Sequence, residues 1–408
     1  MKDVLEITKW VTVVALSFAL GFCLVQYLVA QPLHMAAFLV LCILLAVGLG
    51  LLVWQGYRGW SRLAAGGVLL IGFIAGYLVT TFVFLNQSEE RSLPALNLPP
   101  ADQRDHTAVI YFTHGEPPAY SPLPWIETFK ELDADQVSFI PKPFRPFFFL
   151  KFREEYLKVG GSPHNYIHMD MANSLKEAFR AEGDDKTRFY MAFLDSNPRP
   201  DESIIRALND GANRVIFATV FVTISSHTKA GQDMVNELNL EKFGVPICFS
   251  EPLWNSETLQ EMFVARADEH LNGTDKSKVG ILLVGHGQPE DWDRIYPTQT
   301  EQEILFRQAI IQKLAAAGYP EENISLAWME FKEPEIGDVA RQLADKGVEK
   351  LFVFATSISA SSLHSLYDIP EAVIKSGIPD HIEVVNLGAW DDDPMVIRAI
   401  KEQVDRCR

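Results

Sequence analysis

"FATVFVTISSH" (Phe217–His227) and "FATSISASSLH" (Phe354–His364) are two copies of one phrase in a chain of 408 residues. In each copy, Phe-Ala-Thr is followed by small hydroxylated residues, and a histidine lies ten positions after the phenylalanine. The apolar run that leads into each copy is typical of a buried strand. A phrase of this length that occurs twice indicates a duplicated structural unit.

The duplication extends upstream of both copies. A strand pattern followed by His-Gly-x-Pro occurs at His114 and again at His286. A second strand pattern then ends in an acid, Asp195 in the first half and Glu330 in the second. Each half therefore carries a histidine, an acid and a histidine, in the same order along the chain.

Strand and helix patterns alternate from residue 107 onward, which predicts an α/β fold with parallel sheets and helices on both faces. We expect two similar doubly wound lobes, 107–272 and 273–408, with the main metal site in the second. In such sheets, ligands bind at the carboxyl ends of the strands, where these histidines and acids lie. The predicted strands are 107–112, 188–194, 214–220, 279–284, 324–329, 350–355 and 382–387, and the predicted helices include 164–181, 201–211, 256–272, 298–317, 334–347 and 394–406.

Three apolar runs, roughly 10–30, 35–55 and 64–86, precede this region, and each has about the 20 residues needed to cross a bilayer. A cleaved signal peptide would be a single shorter run. No Asp, Glu, Lys or Arg lies inside the runs, which favours an anchor over a transporter. We therefore predict a membrane anchor over residues 1–86, followed by a Pro-rich polar linker over 87–106.

The basic residues near the apolar runs predict the orientation of the anchor. Lys2 and Lys9 precede the first run, and Arg58 and Arg62 lie in the second loop, whereas the first loop has neither Lys nor Arg. Because cytoplasmic segments carry the excess of basic residues, this pattern places the N-terminus inside the cell. We expect an integral protein of the inner membrane with its soluble part on the extracytoplasmic side.

Composition excludes several function classes. The formal net charge of −17 argues against a nucleic-acid surface, which requires clustered Lys and Arg. None of the four cysteines forms a CxxC pair, which argues against zinc-finger and iron–sulfur motifs.

The repeated residues form two candidate ligand sets. The second-half set is His286, Glu330 and His364, and the possible second set is His114, Asp195 and His227. Two neutral imidazoles and a carboxylate suit Fe(II), Co(II), Ni(II) or Zn(II), and an imidazole can instead serve as a base near neutral pH. The first-half set is either a second metal site or a relic of the duplication. His164 and His168 share a face of a predicted helix, and we expect them at the surface or at a cleft edge.

These residues carry a family resemblance. The segment "EEYLKVGGSPHNYIHMDMANSLKEAF" resembles a ferrochelatase stretch in which a tyrosine (Tyr156) and Gly-Gly-Ser-Pro (160–163) precede a long helix. "TVFVTISSHTKAG" is similar to the strand and loop that follow, and "GHGQP" is similar to the family's Ser-x-His-x-x-Pro motif, with His286 as the catalytic histidine. The resemblance covers about residues 107–404.

One position departs from that pattern. Ferrochelatases carry a glutamate where this chain has His364. In this respect the chain resembles the related sirohydrochlorin cobalt- and nickel-chelatases, whose histidine is followed by Asp-Ile-Pro, here Asp368–Pro370. The first half thus resembles ferrochelatases, whereas the ligands of the second half resemble the cobaltochelatases.

The resemblance implies a membrane-anchored enzyme that inserts a divalent metal into a tetrapyrrole without ATP or another cofactor. Fe(II) and a porphyrin are the first expected substrates, and Co(II) or Ni(II) with sirohydrochlorin or a related ring is the alternative. His286 would accept pyrrole protons or hold the metal, with help from His364 and Glu330. A non-catalytic membrane-bound protein that binds heme or metal is a further alternative from a different class.

The Phe-rich segment 141–156 is a candidate contact for the flat ring. Phe148 would offer an apolar surface and Arg145 would meet the ring carboxylates, with Tyr156 and Ser162 nearby. The alternative is a helix that packs its aromatic residues into the core or against the bilayer.

Overall fold

The chain folds as two compact units, described here from a computed structural model that covers residues 2–89, 91–137 and 140–408. Unit 1 comprises Met1–Glu90 and Ala119–Gly160, and unit 2 comprises Arg91–Pro118 and Gly161–Arg408. Glu90, in the predicted linker, lies outside the described residues. This division differs from the predicted boundaries, because residues 119–160 belong with the apolar helices and the two predicted lobes form one unit.

The predicted elements are present, and the structure adds one short strand and several helices. The added strand covers Ile247–Phe249, and the added helices cover Leu123–Ala134, Arg145–Val159, Ser226–Glu237, Glu290–Ile295 and Ile369–Lys375. The strands are β1 His106–Thr113, β2 Thr187–Phe193, β3 Ala212–Thr219, β4 Ile247–Phe249, β5 Val279–Gly285, β6 Ile324–Trp328, β7 Lys350–Ala355 and β8 Glu383–Gly388. The helices are α1 Lys2–Val29, α2 Pro32–Gly56, α3 Trp60–Leu85, α4 Leu123–Ala134, α5 Arg145–Val159, α6 His164–Ala181, α7 Pro200–Asn209, α8 Ser226–Glu237, α9 Glu257–Glu269, α10 Glu290–Ile295, α11 Pro297–Ala316, α12 Ile336–Asp345, α13 Ile369–Lys375 and α14 Pro394–Arg406.

Unit 2 contains two parallel four-stranded sheets with the same topology. Their strand orders are β2-β1-β3-β4 and β6-β5-β7-β8. The loops after β2 and β6 also correspond, because each contains a cis peptide bond before a proline. These bonds are Asn197–Pro198 in the first lobe and Glu333–Pro334 in the second. The structure thus confirms the predicted duplicated α/β fold with two doubly wound parallel sheets.

The helices of unit 2 lie in three layers around the two sheets. Alternate buried residues of β1 and β5, such as Val109 and Ile281, share one core with α6, α9, α11 and α14. The other face of the first sheet packs on α7 and α8, and that of the second sheet packs on α12 and α13. Because one core serves both sheets, the lobes are halves of a single unit.

The segment before β1 packs on unit 2. Arg91 forms an ion pair of 2.5 Å with Asp201, and the Arg104 guanidinium donates a hydrogen bond of 2.7 Å to the Phe243 carbonyl. Most of the predicted linker is therefore an ordered part of unit 2.

The C-terminus is joined to the first lobe by a disulfide bond that sequence analysis did not predict. Cys248 of β4 is bonded to Cys407, which directly follows α14, with the Cα atoms 5.7 Å apart. Arg214, on the neighbouring strand β3, donates a hydrogen bond of 2.7 Å to the Arg408 carbonyl. Both contacts hold the chain end against the first sheet.

Unit 1 contains three helices that are long and apolar enough to cross a membrane: Glu6–Val29, Pro32–Gly56 and Trp60–Leu85. Helices α1 and α3 approach closely at glycines. A Cβ atom on Gly76 would lie 2.1 Å from the Phe18 carbonyl oxygen, and one on Gly21 would lie 2.2 Å from the Phe73 carbonyl oxygen. Only glycine fits these contacts, which are typical of helix pairs in membranes.

Candidate functional site

The two His-Gly turns occupy equivalent places at the ends of β1 and β5. Gly115 and Gly287 have φ angles of +89° and +85°, which glycine adopts without strain. A Cβ atom on Gly287 would lie 2.2 Å from the Glu330 carbonyl oxygen. The glycine therefore lets the turn approach the loop that carries the acid.

The turn also orients the imidazole in each lobe. Nδ1 of His286 lies 2.7 Å from the Gly287 carbonyl oxygen, and Nδ1 of His114 lies 2.9 Å from that of Gly115. Since a carbonyl oxygen only accepts, Nδ1 must carry the proton in both rings. In a neutral ring, Nε2 then carries the lone pair that binds a metal or accepts a proton.

The second-half residues lie close together. The rings of His286 and His364 are 5.6 Å apart between centroids and nearly perpendicular, at 89°. The Glu330 amide donates a hydrogen bond of 3.1 Å to the His286 carbonyl, which fixes the acid-bearing loop beside the His-Gly turn. Nδ1 of His364 lies 2.8 Å from Oδ2 of Asp368. The structure therefore pairs His286 with His364 and places the backbone of Glu330 beside His286.

Several carboxylates surround His364. Burial alone would lower the pKa of His364, but the hydrogen bond and charge of Asp368, followed by the charges of Glu330 and Glu116, raise it to about 9. Glu116 belongs to the first lobe, and its carboxylate accepts a hydrogen bond of 3.1 Å from the Leu363 amide. His364 is thus protonated at neutral pH, and a metal that bound this ring would displace a proton.

The first-half residues form a matching cluster. Nε2 of His114 lies 3.3 Å from Oδ2 of Asp195, and the rings of His114 and His227 are 4.8 Å apart. Burial holds the pKa of His227 well below its ordinary value, and the charges of His114 and His286 lower it further. Because His286 contributes to this shift, the clusters of the two lobes lie within electrostatic reach of each other.

The structure pairs the predicted ligands without assembling either set of three around one point. Within 2–89, 91–137 and 140–408, no group of three or more His, Cys, Asp or Glu residues is arranged to hold a metal ion. Metal binding by the two sets therefore stays a prediction.

Two histidines lie elsewhere than expected. His164 and His168 were placed at the surface or a cleft edge, but they are 5% and 0% exposed. Nδ1 of His168 lies 2.9 Å from the Tyr111 hydroxyl, and its Nε2 lies 3.0 Å from Thr113 Oγ1 and 3.1 Å from Ser359 Oγ. His168 thus joins the two lobes, because its partners lie on β1 of the first lobe and in the loop after β7 of the second.

His164 lies on the site side of this connection. Its ring is 4.6 Å from that of His168. Burial lowers the pKa of His164 to about 3, with further lowering by the charges of His114 and His364. A signal for its burial existed in the sequence, because His164 and His168 continue the apolar stripe of α6 at helical spacing.

Three of the four predicted ring contacts lie inside unit 1. Arg145 is 4% exposed, and its guanidinium donates two hydrogen bonds to the Asp133 carboxylate, at 2.9 and 2.5 Å. Phe148 packs against Trp125, with ring centroids 4.7 Å apart, and the buried Tyr156 packs on Phe152 at 5.0 Å. This packing corresponds to the alternative interpretation of the Phe-rich segment rather than to a ring contact, which stays untested.

The fourth predicted contact, Ser162, lies in unit 2 and is buried. Its hydroxyl accepts a hydrogen bond of 3.3 Å from the His164 amide, and its own amide donates one of 3.0 Å to the Pro118 carbonyl. Ser162 therefore fixes the turn that leads into α6.

Two duplicated parallel sheets with a histidine and an acid at corresponding strand ends define a chelatase-like α/β protein. The ferrochelatase family model matches residues 107–407. The chain belongs to the ferrochelatase family.

Individual relatives are distant from this chain. It is 23% identical to a ferrochelatase of Desulfotalea psychrophila over 215 residues, which are 52% of this chain and 66% of that protein. The match is thus shorter than the curated relative itself. The chain is also 28% identical to a sirohydrochlorin cobaltochelatase of Methanothermobacter thermautotrophicus over 111 residues, 27% of this chain and 68% of that protein.

A solved structure supports the fold. The chain is similar to SirB from Bacillus subtilis with Fe3+, at a TM-score of 0.50 and 14% identity, covering 74% of this chain and 95% of that one. At this identity the likeness concerns the fold alone.

Proposed function

We propose that this protein is a membrane-anchored chelatase that inserts a divalent metal into a tetrapyrrole, with Fe(II) and a porphyrin as its first substrates. The observation that carries the proposal is the pairing of His286 with His364 at the carboxyl edge of the second sheet, 5.6 Å apart, in a chain of the ferrochelatase family. The reaction needs neither ATP nor a resident cofactor in this proposal, because the metal and the ring are both substrates.

The chemistry requires acceptors for two protons, since the neutral macrocycle releases both pyrrole protons as the metal ion enters. The hydrogen bond from Nδ1 of His286 to Gly287 leaves Nε2 as an acceptor, which suits His286 to take the first proton. Glu330 is an acceptor for the second proton. His364 is protonated before the metal arrives. When it becomes a ligand, it releases this third proton from Nε2 to solvent, because His286 and Glu330 take the two protons of the ring.

A second candidate substrate pair is Co(II) or Ni(II) with sirohydrochlorin. Two observations favour it: a histidine at 364, and the match to a sirohydrochlorin cobaltochelatase over 111 residues. A histidine at this position suits Co(II) and Ni(II) better than a glutamate would, because imidazole is a softer ligand than a carboxylate.

A substrate panel separates these possibilities. Full-length protein in nanodiscs is supplied with Fe(II) and protoporphyrin or coproporphyrin, and separately with Co(II) or Ni(II) and sirohydrochlorin. Insertion is followed by the change in ring absorbance, with protein-free nanodiscs as the blank. Iron insertion into a porphyrin supports the first choice, and cobalt or nickel insertion alone would replace it with the second. Ring binding without insertion in every combination would favour the non-catalytic heme- or metal-binding alternative.

We further infer that unit 2 lies on the extracytoplasmic side of the inner membrane. The basic residues Lys2, Lys9, Arg58 and Arg62 all fall on the side of the N-terminus. The Cys248–Cys407 disulfide supports the same side, since such bonds persist in oxidising compartments and are rare in the cytosol. A protease added to intact spheroplasts should remove a C-terminal tag, and a tag cut only after lysis would reverse the assignment.

A further inference from the structure

Helix α2 indicates where the bilayer surface lies along unit 1. α2 begins at Pro32, directly after α1 ends at Val29, and most of its surface is exposed and apolar. Leu33 near its start is 87% exposed, and Leu44 near its middle is 64% exposed. If α1–α3 span a bilayer, as proposed above, acyl chains must cover α2 almost to its first residue. The ends of α1 and α3 at Val29 and Leu85 then lie at the membrane surface.

Helices α4 and α5 form a hairpin that extends from this surface toward the middle of α3, which in a bilayer is the direction of the membrane interior. At the lower end, the Tyr77 hydroxyl donates a hydrogen bond of 2.6 Å to the Pro143 carbonyl, just before α5. Tyr77 lies eight residues before the end of α3 (85 − 77 = 8), which corresponds to about 12 Å along a helix.

The upper end of α5 reaches the membrane surface. Phe149 packs edge-on against Phe84, with ring centroids 5.1 Å apart. The buried Arg153 guanidinium donates hydrogen bonds of 2.8 and 2.9 Å to the carbonyls of Tyr27 and Ala30, the last carbonyls of α1. A cation at a helix C-terminus is favourable, and here it joins the hairpin to the outer end of α1.

The exposed stripe of α5 changes character along this path. At the lower end it presents Phe144 and Phe147, which are 61% and 48% exposed. Higher on the same stripe are Lys151, whose side chain is 74% exposed, and the exposed Glu154. The stripe is therefore apolar at the deep end, whereas the shallow end carries charged residues beside the half-exposed Leu157, a mixture that is typical of a membrane interface.

The basic residues near the deep end have an acidic partner. Arg145 is neutralised by the bidentate pair with Asp133, and Lys142 lies 3.2 Å from the same carboxylate. Lys142 is 65% exposed, and its long side chain can direct the ammonium group toward the headgroups.

We propose that the α4–α5 hairpin is embedded in the leaflet that surrounds the C-terminal ends of α1 and α3, with Phe144 and Phe147 against lipid acyl chains. The occupant of this apolar face is the bilayer itself, because the face continues the exposed apolar surface of α2 and α3. In the sequence, the hairpin is an insertion between two segments of unit 2. The chain leaves unit 2 at Pro118, four residues after His114 (118 − 114 = 4), and returns at Gly161, three residues before His164 (164 − 161 = 3).

Spin-label depth measurements test the proposal on the full-length protein in nanodiscs. The background carries Cys42→Ala, because Cys23 is only 3% exposed and the other two cysteines form the disulfide. Single cysteines replace Phe144, Phe147, Lys151 and Glu154, and a nitroxide is attached to each. The collision frequency of each nitroxide with oxygen is then compared with its collision frequency with a water-soluble nickel complex. We expect the oxygen preference to be strongest at 144 and 147, weaker at 151 and lost at 154.

Two reference positions make the result decisive. Leu44→Cys in α2 should show strong oxygen preference, and Ile374→Cys, an exposed apolar residue of unit 2 at 77% exposure, should show none. Water-like behaviour at 144 and 147 with a lipid-like signal at 44 would overturn the hairpin proposal and leave the anchor intact. Water-like behaviour at 44 would instead overturn the membrane anchor, on which the hairpin depends. The Cys42→Ala protein without an introduced cysteine is treated with the same spin label and should show no nitroxide signal. This control verifies that Cys23 and the disulfide cysteines do not react.

Discussion

At the scale of single residues, the site depends on how neighbouring backbone atoms fix each imidazole. The Gly115 and Gly287 carbonyls hold Nδ1 of His114 and His286, so that both rings have the same protonated nitrogen. Asp368 holds His364 in the charged form. The hydrogen-bond partner of each imidazole therefore comes from the same loop as the histidine itself, and the His-Gly turns were duplicated together with their histidines.

His168 should make folding stability sensitive to mildly acidic pH. Burial holds its pKa well below 6.5 in the folded protein, whereas in the unfolded chain the pKa is about 6.5. The unfolded chain then binds more protons below pH 6.5, so the free energy of unfolding decreases as the pH falls. Between pH 6.5 and 5, this residue should account for a loss of at most about 2 kcal/mol, the limit for one bound proton over that range.

Guanidinium unfolding of unit 2, followed by tryptophan fluorescence at pH 7 and pH 5, measures this effect. His168→Gln removes the titrating group, and its stability should decrease less between the two pH values than that of the wild type. His381→Gln, at an exposed histidine, is the matched control and should retain the wild-type pH dependence. Equal pH dependence in wild type and His168→Gln would contradict the account.

The sequence predicted which histidines and acids share a sheet edge, because the duplication repeats them at strand ends. It did not predict the burial of His164 and His168, since helical spacing alone does not distinguish a polar surface face from a core face that holds satisfied polar groups. The partners of His168 come from β1 and from the loop after β7. Contacts between segments so distant in the chain leave no local pattern.

At the scale of elements, the pairing of α1 with α3 depends on two glycines, and this can be tested. Gly76→Ala places a methyl group about where the Phe18 carbonyl lies, and it should destabilise the helix pair by about 1–3 kcal/mol through overpacking. Gly67→Ala in the same helix meets nothing within 4 Å and is the control. A lower melting temperature for Gly76→Ala alone is expected, and equal melting of the two variants would contradict the observed packing.

The assignment of elements to units was the least predictable part of the fold. Sequence patterns identified the apolar helices and most strands. The periodicity of the aromatic-rich helices α4 and α5 does not indicate which other helices they pack against. Tertiary contacts with Tyr77, Phe84 and the end of α1 place them in unit 1. The short strand β4 has three residues, too few for a period to be recognised.

At the scale of the whole molecule, the disulfide connects the C-terminus to the first sheet and closes a separation of 159 residues. Removing a native disulfide typically costs about 2–5 kcal/mol, so Cys248→Ala with Cys407→Ala should lower the stability of unit 2 by that amount. Thermal melts with and without dithiothreitol check the pairing. The reductant should lower the melting temperature of the wild type and leave the double variant unchanged, and an unaffected wild type would argue against a structural bond.

The two sheets share one core and bring together residues from four strand ends that are distant in sequence. The second half folded alone would lack the partner face of this core and Glu116, one of the three carboxylates that raise the pKa of His364. The proposed function therefore belongs to unit 2 as a whole.

The most direct test of the central claim separates metal insertion from ring binding in His286→Ala, with His381→Ala as the control at an exposed histidine. Ring binding is read by fluorescence and insertion by absorbance, on full-length protein in nanodiscs with the substrate pair that the wild type accepts. The account predicts that His286→Ala binds the ring about as well as the wild type but loses insertion by about 10²–10⁴-fold, as expected for loss of a proton acceptor. Insertion by His286→Ala at the wild-type rate would contradict it.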